Sequence, residues 1–430
     1  LKALTAVAAL LLGTAILLTG QGLQGVLLPV RATLEDFSTL SVGIMGGAYF
    51  LGFTLGCWRG VRLLRRAGHV RTFAAMTAVA SAAPLLQGLW VNLGTWVLLR
   101  AVTGFCFAVL YVVIESWLNE RATNENRGTI FSAYILINMV VLAAGQQMLL
   151  LGDPMELELF ALTSILVSLA AVPLLLSGQA APEAVDEARI DFRGLWKSSP
   201  VGAFGTLASG LNNGVFWALA AVFVTSYSDV PGHAAWFMTA VIAGGAVSQW
   251  PLGWWSDRVD RRWVLVCLGV LGVAVSLLTW WLGPDLDLSG LLWLGFAWGA
   301  LAFPIYSIAV AHANDCAAPG TFVQVSASLL LLYGVGAIIG PLVAPWFMDV
   351  LGPSGMYLYS AVIFAVMTVY VLWRMRRRLR PDAHEQNFGE ALTAAVTVST
   401  AFEQGMEEAE AAEEAEAEAK GIAAKRSGPA

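Results

Sequence analysis

The sequence predicts an all-α integral membrane protein with twelve transmembrane helices in two pseudo-symmetric six-helix bundles. Three observations carry this. Of 430 residues, 58% are hydrophobic and only 13% charged, roughly half the charged share of a soluble domain. The apolar residues fall in repeated blocks of about 20, the length that crosses a ~30 Å hydrocarbon core. Lys and Arg crowd into alternate connections between those blocks.

The blocks follow one another with clear punctuation. The first span is expected at 3–28. It is too long for the apolar region of a signal peptide, and Pro29 closes it. The second, 39–61, runs into Arg62, Arg65 and Arg66, and the third, 72–90, follows Gly68 and Arg71. Gly94 precedes the fourth, 95–118, and Gly152-Asp-Pro154 ends the fifth, 128–150. The sixth, 157–177, meets the one long polar interior stretch, 178–199. Pro231-Gly232 separates the seventh, 200–226, from the eighth, 233–254. The ninth, 263–283, stops at Pro284. Pro319-Gly320 lies between the tenth, 288–312, and the eleventh, 321–347, and the twelfth, 355–374, follows Pro353. The expected organisation is an N-terminal bundle at 1–177, a cytoplasmic linker at 178–199 and a C-terminal bundle at 200–375. A basic then acidic cytoplasmic tail without fixed structure follows at 376–430.

Orientation follows from the basic residues. One set of connections holds Arg62, Arg65, Arg66, Arg71, Arg121, Arg127, Arg189, Arg193, Lys197, Arg258, Arg261, Arg262 and the cluster Arg374 to Arg380. The opposite set has Arg31 alone, among the acids Glu35, Asp36, Asp153, Glu156, Glu158, Asp229, Asp285, Asp287 and Asp349. The basic side is read as cytoplasmic, which places both termini there and requires an even number of spans. The net charge of -6 comes largely from the tail between Glu403 and Glu418, so nucleic-acid binding has no support. A cytoplasmic partner for that tail competes with a merely solvated one. Cys57, Cys106, Cys267 and Cys316 lack metal or redox spacing and read as packing residues. Neither a metal nor a cofactor is expected.

An internal repeat supports the two halves. Gly104, Tyr111, Asn119 and Glu120 share their spacing with Gly299, Tyr306, Asn314 and Asp315, at an offset of 195 residues. The same offset takes Gly145 to Gly340. A slightly smaller one takes Gln21-Gly22 to Asn213-Gly214, and a slightly larger one takes Gly56 to Gly253.

After the eighth span comes Gly253-Trp-Trp-Ser-Asp257-Arg258-Val-Asp260-Arg261-Arg262. It resembles the cytoplasmic loop motif of the major facilitator superfamily, a glycine followed by Asp-Arg and two further basic residues. The first-half copy keeps Gly56, Arg62, Arg65 and Arg66 but has Gly60 in place of the acid. Arg100-Ala-Val-Thr-Gly104 resembles the superfamily's fourth-helix motif, whereas the fifth span lacks the Gly-Pro motif of the drug/proton antiporters. Gly68-His-Val-Arg71, Glu115-Ser-Trp-Leu-Asn119, Asn126-Arg-Gly128 and Tyr306-Ser-Ile-Ala-Val-Ala-His312-Ala-Asn-Asp315 are together similar to the YcaD-like group of bacterial members. The resemblance covers about residues 3–375. It implies the major facilitator fold, a monomer and a cavity between the halves.

Several polar side chains fall inside the spans. Arg100 would be costly at membrane depth and is expected to meet a solute, a proton path or backbone carbonyls. Glu115 lies fifteen residues further along the same helix, roughly 22 Å at 1.5 Å per residue, too far to pair with Arg100. It reads either as a proton carrier or as a gate residue bonded to Arg127 or the second-to-third loop. Gln21, Gln24, Asn212 and Asn213, on the first and seventh spans, are the cavity candidates, with helix–helix hydrogen bonding as the competing role. Tyr111 and Tyr306 face either the pathway or the core. Gly253, Asp257, Arg258, Arg261 and Arg262, with Gly56 and Arg62, form the expected cytoplasmic gate motif. Trp90, Trp96, Trp196, Trp263 and Trp373 read as an interfacial belt.

No nucleotide loop of the Gly-x4-Gly-Lys-Ser/Thr type is present, and no nucleophile constellation points to an enzyme. The expected function is secondary transport of a small organic solute, with proton coupling. The alternative is a non-transporting assembly or sensor protein on the same fold.

Overall fold

The structure, a computed structural model, describes residues 7–121, 127–176, 191–317 and 321–377. The tail beyond 377, most of the linker and Asn126 of the quoted motif lie outside the described residues. The first half contains α1 (Ala8–Leu34), α2 (Thr39–Ala67), α3 (His69–Leu89), α4 (Leu93–Arg121), α5 (Arg127–Gln147), α6 (Glu158–Leu169) and α7 (Ala171–Leu176). A short helix, α8 (Phe192–Ser198), leads into α9 (Pro200–Thr225), α10 (Gly232–Ser256), α11 (Arg261–Leu282), α12 (Leu288–Asp315), α13 (Phe322–Leu351) and α14 (Gly355–Arg377).

Local chemistry explains several boundaries. Ser38 caps α2 through the Ser41 amide, Asp260 caps α11 through the Arg262 amide, and Asp287 caps α12 through the Gly290 amide. Such caps satisfy amides that have no partner in the first helical turn. Gly68, at φ 79°, turns α2 sharply into α3 in a conformation costly to a side chain. The expected sixth span is divided between α6 and α7 just before Pro173, whose missing amide removes one rung of the helical ladder.

Eleven helical stretches among the described residues are long and apolar enough to cross a membrane. The expectation of twelve also needs α10, which is 25 residues long. Its four Trp residues, with Gly, Gln, Ser and Pro251, lower its hydropathy. It packs along α12 and completes the second set of six.

The two halves repeat the same pairings. α2 lies along α4 as α10 lies along α12, α1 along α5 as α9 along α13, and α3 on α6 as α11 on α14. Between halves, α2 meets α13 and α10 meets α5, as a two-fold relation requires. The register can be read from backbone approaches. A side chain at Gly22 would run into the Leu142 carbonyl, and one at Gly214 into the Ala337 carbonyl. Likewise Gly145 meets Thr19 where Gly340 meets Leu211, and Gly104 meets Tyr49 where Gly299 meets Val241. The offset is therefore 195 residues on the fourth and fifth spans and 192 on the first and second. In lipid, where apolar burial gives helices little reason to associate, such close approaches supply packing and Cα–H···O contacts. Carried on to Gly56, the 192 offset reaches Ser248, five residues before Gly253. Gly56 packs against Phe105 and Ala108 of α4.

Arg31, alone on the acidic side, is neutralised locally. It pairs with Glu35 at 2.6 Å and donates to the Pro154 carbonyl at 3.0 Å. Trp90, Trp196, Trp263 and Trp373 are exposed, as a belt requires, but Trp96 is fully buried. Its indole N–H donates to the Gln87 and Trp90 carbonyls. Trp96 is thus a core residue, its ring packed on Phe37.

Candidate functional site

A cavity of about 400 Å³ lies between the halves, within the size range of small-molecule sites. Its walls come from α1, α2, α4 and α5 on one side and α9, α10, α12 and α13 on the other. The halves meet at the acidic end. There Gly43 and Gly47 of α2 sit against the Pro341 and Ile338 carbonyls of α13. Gln147 of α5 donates to the Thr239 hydroxyl of α10 at 2.7 Å and to the Ala235 carbonyl at 3.1 Å. From there the cavity reaches toward the basic end, past Glu115 and as far as Ser326.

Of the cavity candidates, Gln21, Gln24, Asn213, Tyr111, Tyr306 and Arg100 line the wall, joined by Glu115. Asn212 does not. It is buried at 1% exposure, because one residue step turns a helical side chain by about 100° and Asn213 takes the cavity face. Gln24 touches the cavity but commits its amide N–H to Gln87 Oε1 at 3.0 Å, tying α1 to α3. Asn213 donates to Ser209 Oγ at 3.2 Å on its own helix.

Gln21 joins three helices. Tyr111 of α4 donates to its Oε1 at 3.0 Å, and its own Nε2 donates to the Tyr49 hydroxyl of α2 at 2.9 Å. Arg100, two turns into α4, is half-buried with its guanidinium carbon 4.3 Å from the Tyr49 ring centroid. This is cation–π geometry. Glu115 is fully buried and accepts from the Tyr134 hydroxyl at 3.3 Å. The Arg127 side chain, the alternative partner, lies outside the described residues. Across the cavity, Tyr306 stacks edge-on to Tyr333 at 5.0 Å, and Trp217 lies parallel to Phe303 at 6.4 Å.

The repeat makes the charge placement legible. At its offset of 195, Arg100 corresponds to Gly295 and Glu115 to Val310. Both charged side chains among the described wall residues therefore belong to the first half, and the second half presents aromatics and amides there. Sequence reasoning missed Tyr49, Trp217 and Tyr333, which look like ordinary aromatic residues of apolar spans. Only their neighbours in space mark them. Cys57, read as packing, also lines the cavity.

The gate motif gathers at the basic end. Arg261 pairs with Asp315 of α12 at 2.7 Å and with Asp257 at 3.1 Å, and donates to Ser256 Oγ at 3.1 Å. Arg262 pairs with Asp260 at 2.6 Å. These bonds tie the α10–α11 turn to α12. Arg258 stacks over Trp254 at 3.8 Å and donates to its carbonyl. Burial pushes the Asp260 carboxyl up, but hydrogen bonds from the Arg262 side chain and amide hold it below the usual carboxylate range. Gly253 is buried, and Arg62 is exposed on α2. The first half is organised differently. His69, buried at the start of α3, shares a 3.0 Å hydrogen bond with Ser116 and stacks edge-on to Trp117. No group of three or more metal-ligating side chains occurs among the described residues.

The sequence profile of the Major Facilitator Superfamily matches residues 202–415. An uncharacterized MFS-type transporter, YcaD of Escherichia fergusonii, is 24% identical over 380 residues, covering 87% of this chain and 97% of that protein. Among solved structures, the nucleoside transporter NupG superposes with a TM-score of 0.74 at 13% identity, covering 86% of this chain and 99% of its own. The transporter FucP, in its outward conformation, superposes at 0.56 with 13% identity, over 87% of this chain and 99% of its own.

Proposed function

We propose that the chain is a secondary active transporter of the major facilitator superfamily, whose profile matches its second half and whose fold it shares. It moves a small organic solute across the bacterial inner membrane by alternating access, coupled to protons. The observation that carries this reading is the cavity between the halves, with Arg100, Gln21 and Glu115 on its wall. Ionisable groups at membrane depth are expensive and mark solute or proton paths. Transporters built from repeats bind near the midplane and rock the repeats around the site.

The assignments follow from position. Arg100, Gln21, Tyr111, Asn213 and Tyr306 contact the solute. Glu115 carries the proton, being buried on the cavity wall beside a phenol that can hand a proton on. Both termini and the basic end face the cytoplasm. In that orientation the Gln147–Thr239 contact closes the outer end, and the cavity reaches inward. The Arg261–Asp315 and Arg261–Asp257 bonds brace the inner end through the cycle. The protein works as a monomer of two bundles joined by the linker, and its acidic tail is free to meet a cytoplasmic partner. That NupG is a nucleoside transporter and FucP a fucose:proton symporter is consistent with solute transport on this fold. It does not transfer their substrates.

The test is solute flux into proteoliposomes under an imposed pH gradient, with a broad metabolite panel. Uphill uptake of at least one solute is expected, lost in Arg100→Ala with the protein still folded. A folded protein that moves nothing in the panel would favour the assembly or sensor reading instead.

A further inference from the structure

We infer that the solute is an organic monoanion, its carboxylate held by Arg100 beside the Tyr49 hydroxyl and its apolar body against the aromatic wall. This rests on the transporter reading and names the substrate class of the same cavity.

Arg100 is the one Lys, Arg or His among the described cavity-lining residues. It forms no ion pair or hydrogen bond with a described residue, and its recorded partner is the Tyr49 ring. A guanidinium at membrane depth without a counter-charge is unfavourable, and an aromatic face repays only part of that. The ring contact satisfies none of the five guanidinium N–H donors as a hydrogen bond would, and their fork matches a planar, bidentate acceptor such as a carboxylate.

The neighbouring hydrogen bonds point the same way. Tyr111 donates to Gln21, and Gln21 donates to the Tyr49 hydroxyl. The Tyr49 oxygen is thus occupied as an acceptor, and its hydrogen is left for a ligand. A second donor stands next to the guanidinium.

One positive charge fits one negative charge. A second anionic group would meet no second cation among the described wall residues, only aromatics such as Phe50, Phe53, Trp217 and Phe303 and neutral amides and hydroxyls, which leave its charge uncompensated. Toward the basic end it would approach Glu115. The repeat places Gly295 where a second Arg100 would stand, so the other half adds no cation. Dicarboxylates and phosphomonoesters are disfavoured, while aromatic or branched monocarboxylates fit both the charge and the wall.

The test is equilibrium binding of radiolabelled benzoate, phenylacetate, hexanoate and indole-3-acetate to the purified full chain in nanodiscs, with benzamide, phthalate and uridine as competitors. At least one monocarboxylate is expected to bind saturably, with the amide and the dicarboxylate about tenfold weaker or more. Arg100→Gln should weaken binding by a similar factor. Arg100→Lys, which keeps the charge but not the fork, should fall between. Variants are scored only if they elute as monodisperse protein, and the lysine variant serves if the glutamine one misfolds. Equal binding of benzamide or uridine, unchanged binding in Arg100→Gln, or no saturable binding by any of the four acids would overturn the inference. Carboxylate binding without flux in proteoliposomes sinks the transporter reading alone. Flux of a neutral solute that ignores Arg100 sinks this inference alone.

Discussion

The guanidinium carbon of Arg100 on α4 stands 4.3 Å from the centre of the Tyr49 ring on α2. The same two helices touch backbone to backbone where Gly104 meets the Tyr49 carbonyl. The close packing that the glycine permits, one turn from the arginine, brings the ring within reach of the cation. Packing and site are therefore one piece of geometry.

Substitutions at Tyr49 separate its two contributions. Tyr49→Leu removes the π face, a contact worth about 0.5–2 kcal/mol, and should raise the KM for flux several-fold. Tyr49→Phe keeps the face and loses the hydroxyl, with both its link to Gln21 and its hydrogen for the solute, so its KM should lie between. Identical KM values for the wild type and Tyr49→Leu would show that the ring does not hold the cation in a working geometry.

Glu115→Gln keeps the shape of the side chain and its ability to accept from Tyr134 but cannot carry a proton. Uphill accumulation under a pH gradient should disappear, while exchange of labelled for unlabelled solute with no gradient should persist. Wild-type accumulation in this variant would assign proton coupling to another residue.

Gly22 and Gly25 lie one turn apart on α1 and should behave oppositely. A Cβ at Gly22 meets Leu142 backbone, whereas one at Gly25 meets nothing within 4 Å. Gly22→Ala should cost about 1–3 kcal/mol through overpacking and lower the melting temperature in detergent. Gly25→Ala should hold or slightly raise it. The repeat predicts that Gly214→Ala, against Ala337, behaves like Gly22→Ala. Equal melting temperatures for all three would contradict the close helix contacts.

Asp260 gives a pH signature. Its folded-state pKa lies below the reference value of 3.8 because Arg262 binds the carboxylate. A depressed carboxyl contributes stability that is fully present above the unfolded pKa and lost as pH falls through the folded one. The melting temperature of Asp260→Asn should thus sit below wild type by a constant amount from about pH 5 to pH 8. That gap should close only under more acid conditions. A gap that changes between pH 6 and pH 8 would mean that another group titrates there.

The sequence by itself determined the placement in a membrane, the number of spans and the paired halves. Those properties reside in local composition and in the repeat from Gly104 to Gly299, and each apolar block must become a helix whatever its neighbours, because lipid offers its backbone no other partner. It also marked Arg100 and Glu115, since a charge in an apolar run is conspicuous along the chain. What only the tertiary structure decided depends on rotation and neighbours in space. Asn213 faces the cavity and Asn212 does not, although both are amides at the same depth. Trp96 belongs to the core because Gln87 and Trp90 offer carbonyls to its indole, whereas Trp90, six residues earlier, is exposed. Tyr49 became the partner of Arg100 only when α2 and α4 were packed together. A span's periodicity reveals that a face is buried, but which residue on the next helix meets that face is set by close packing between segments distant in sequence.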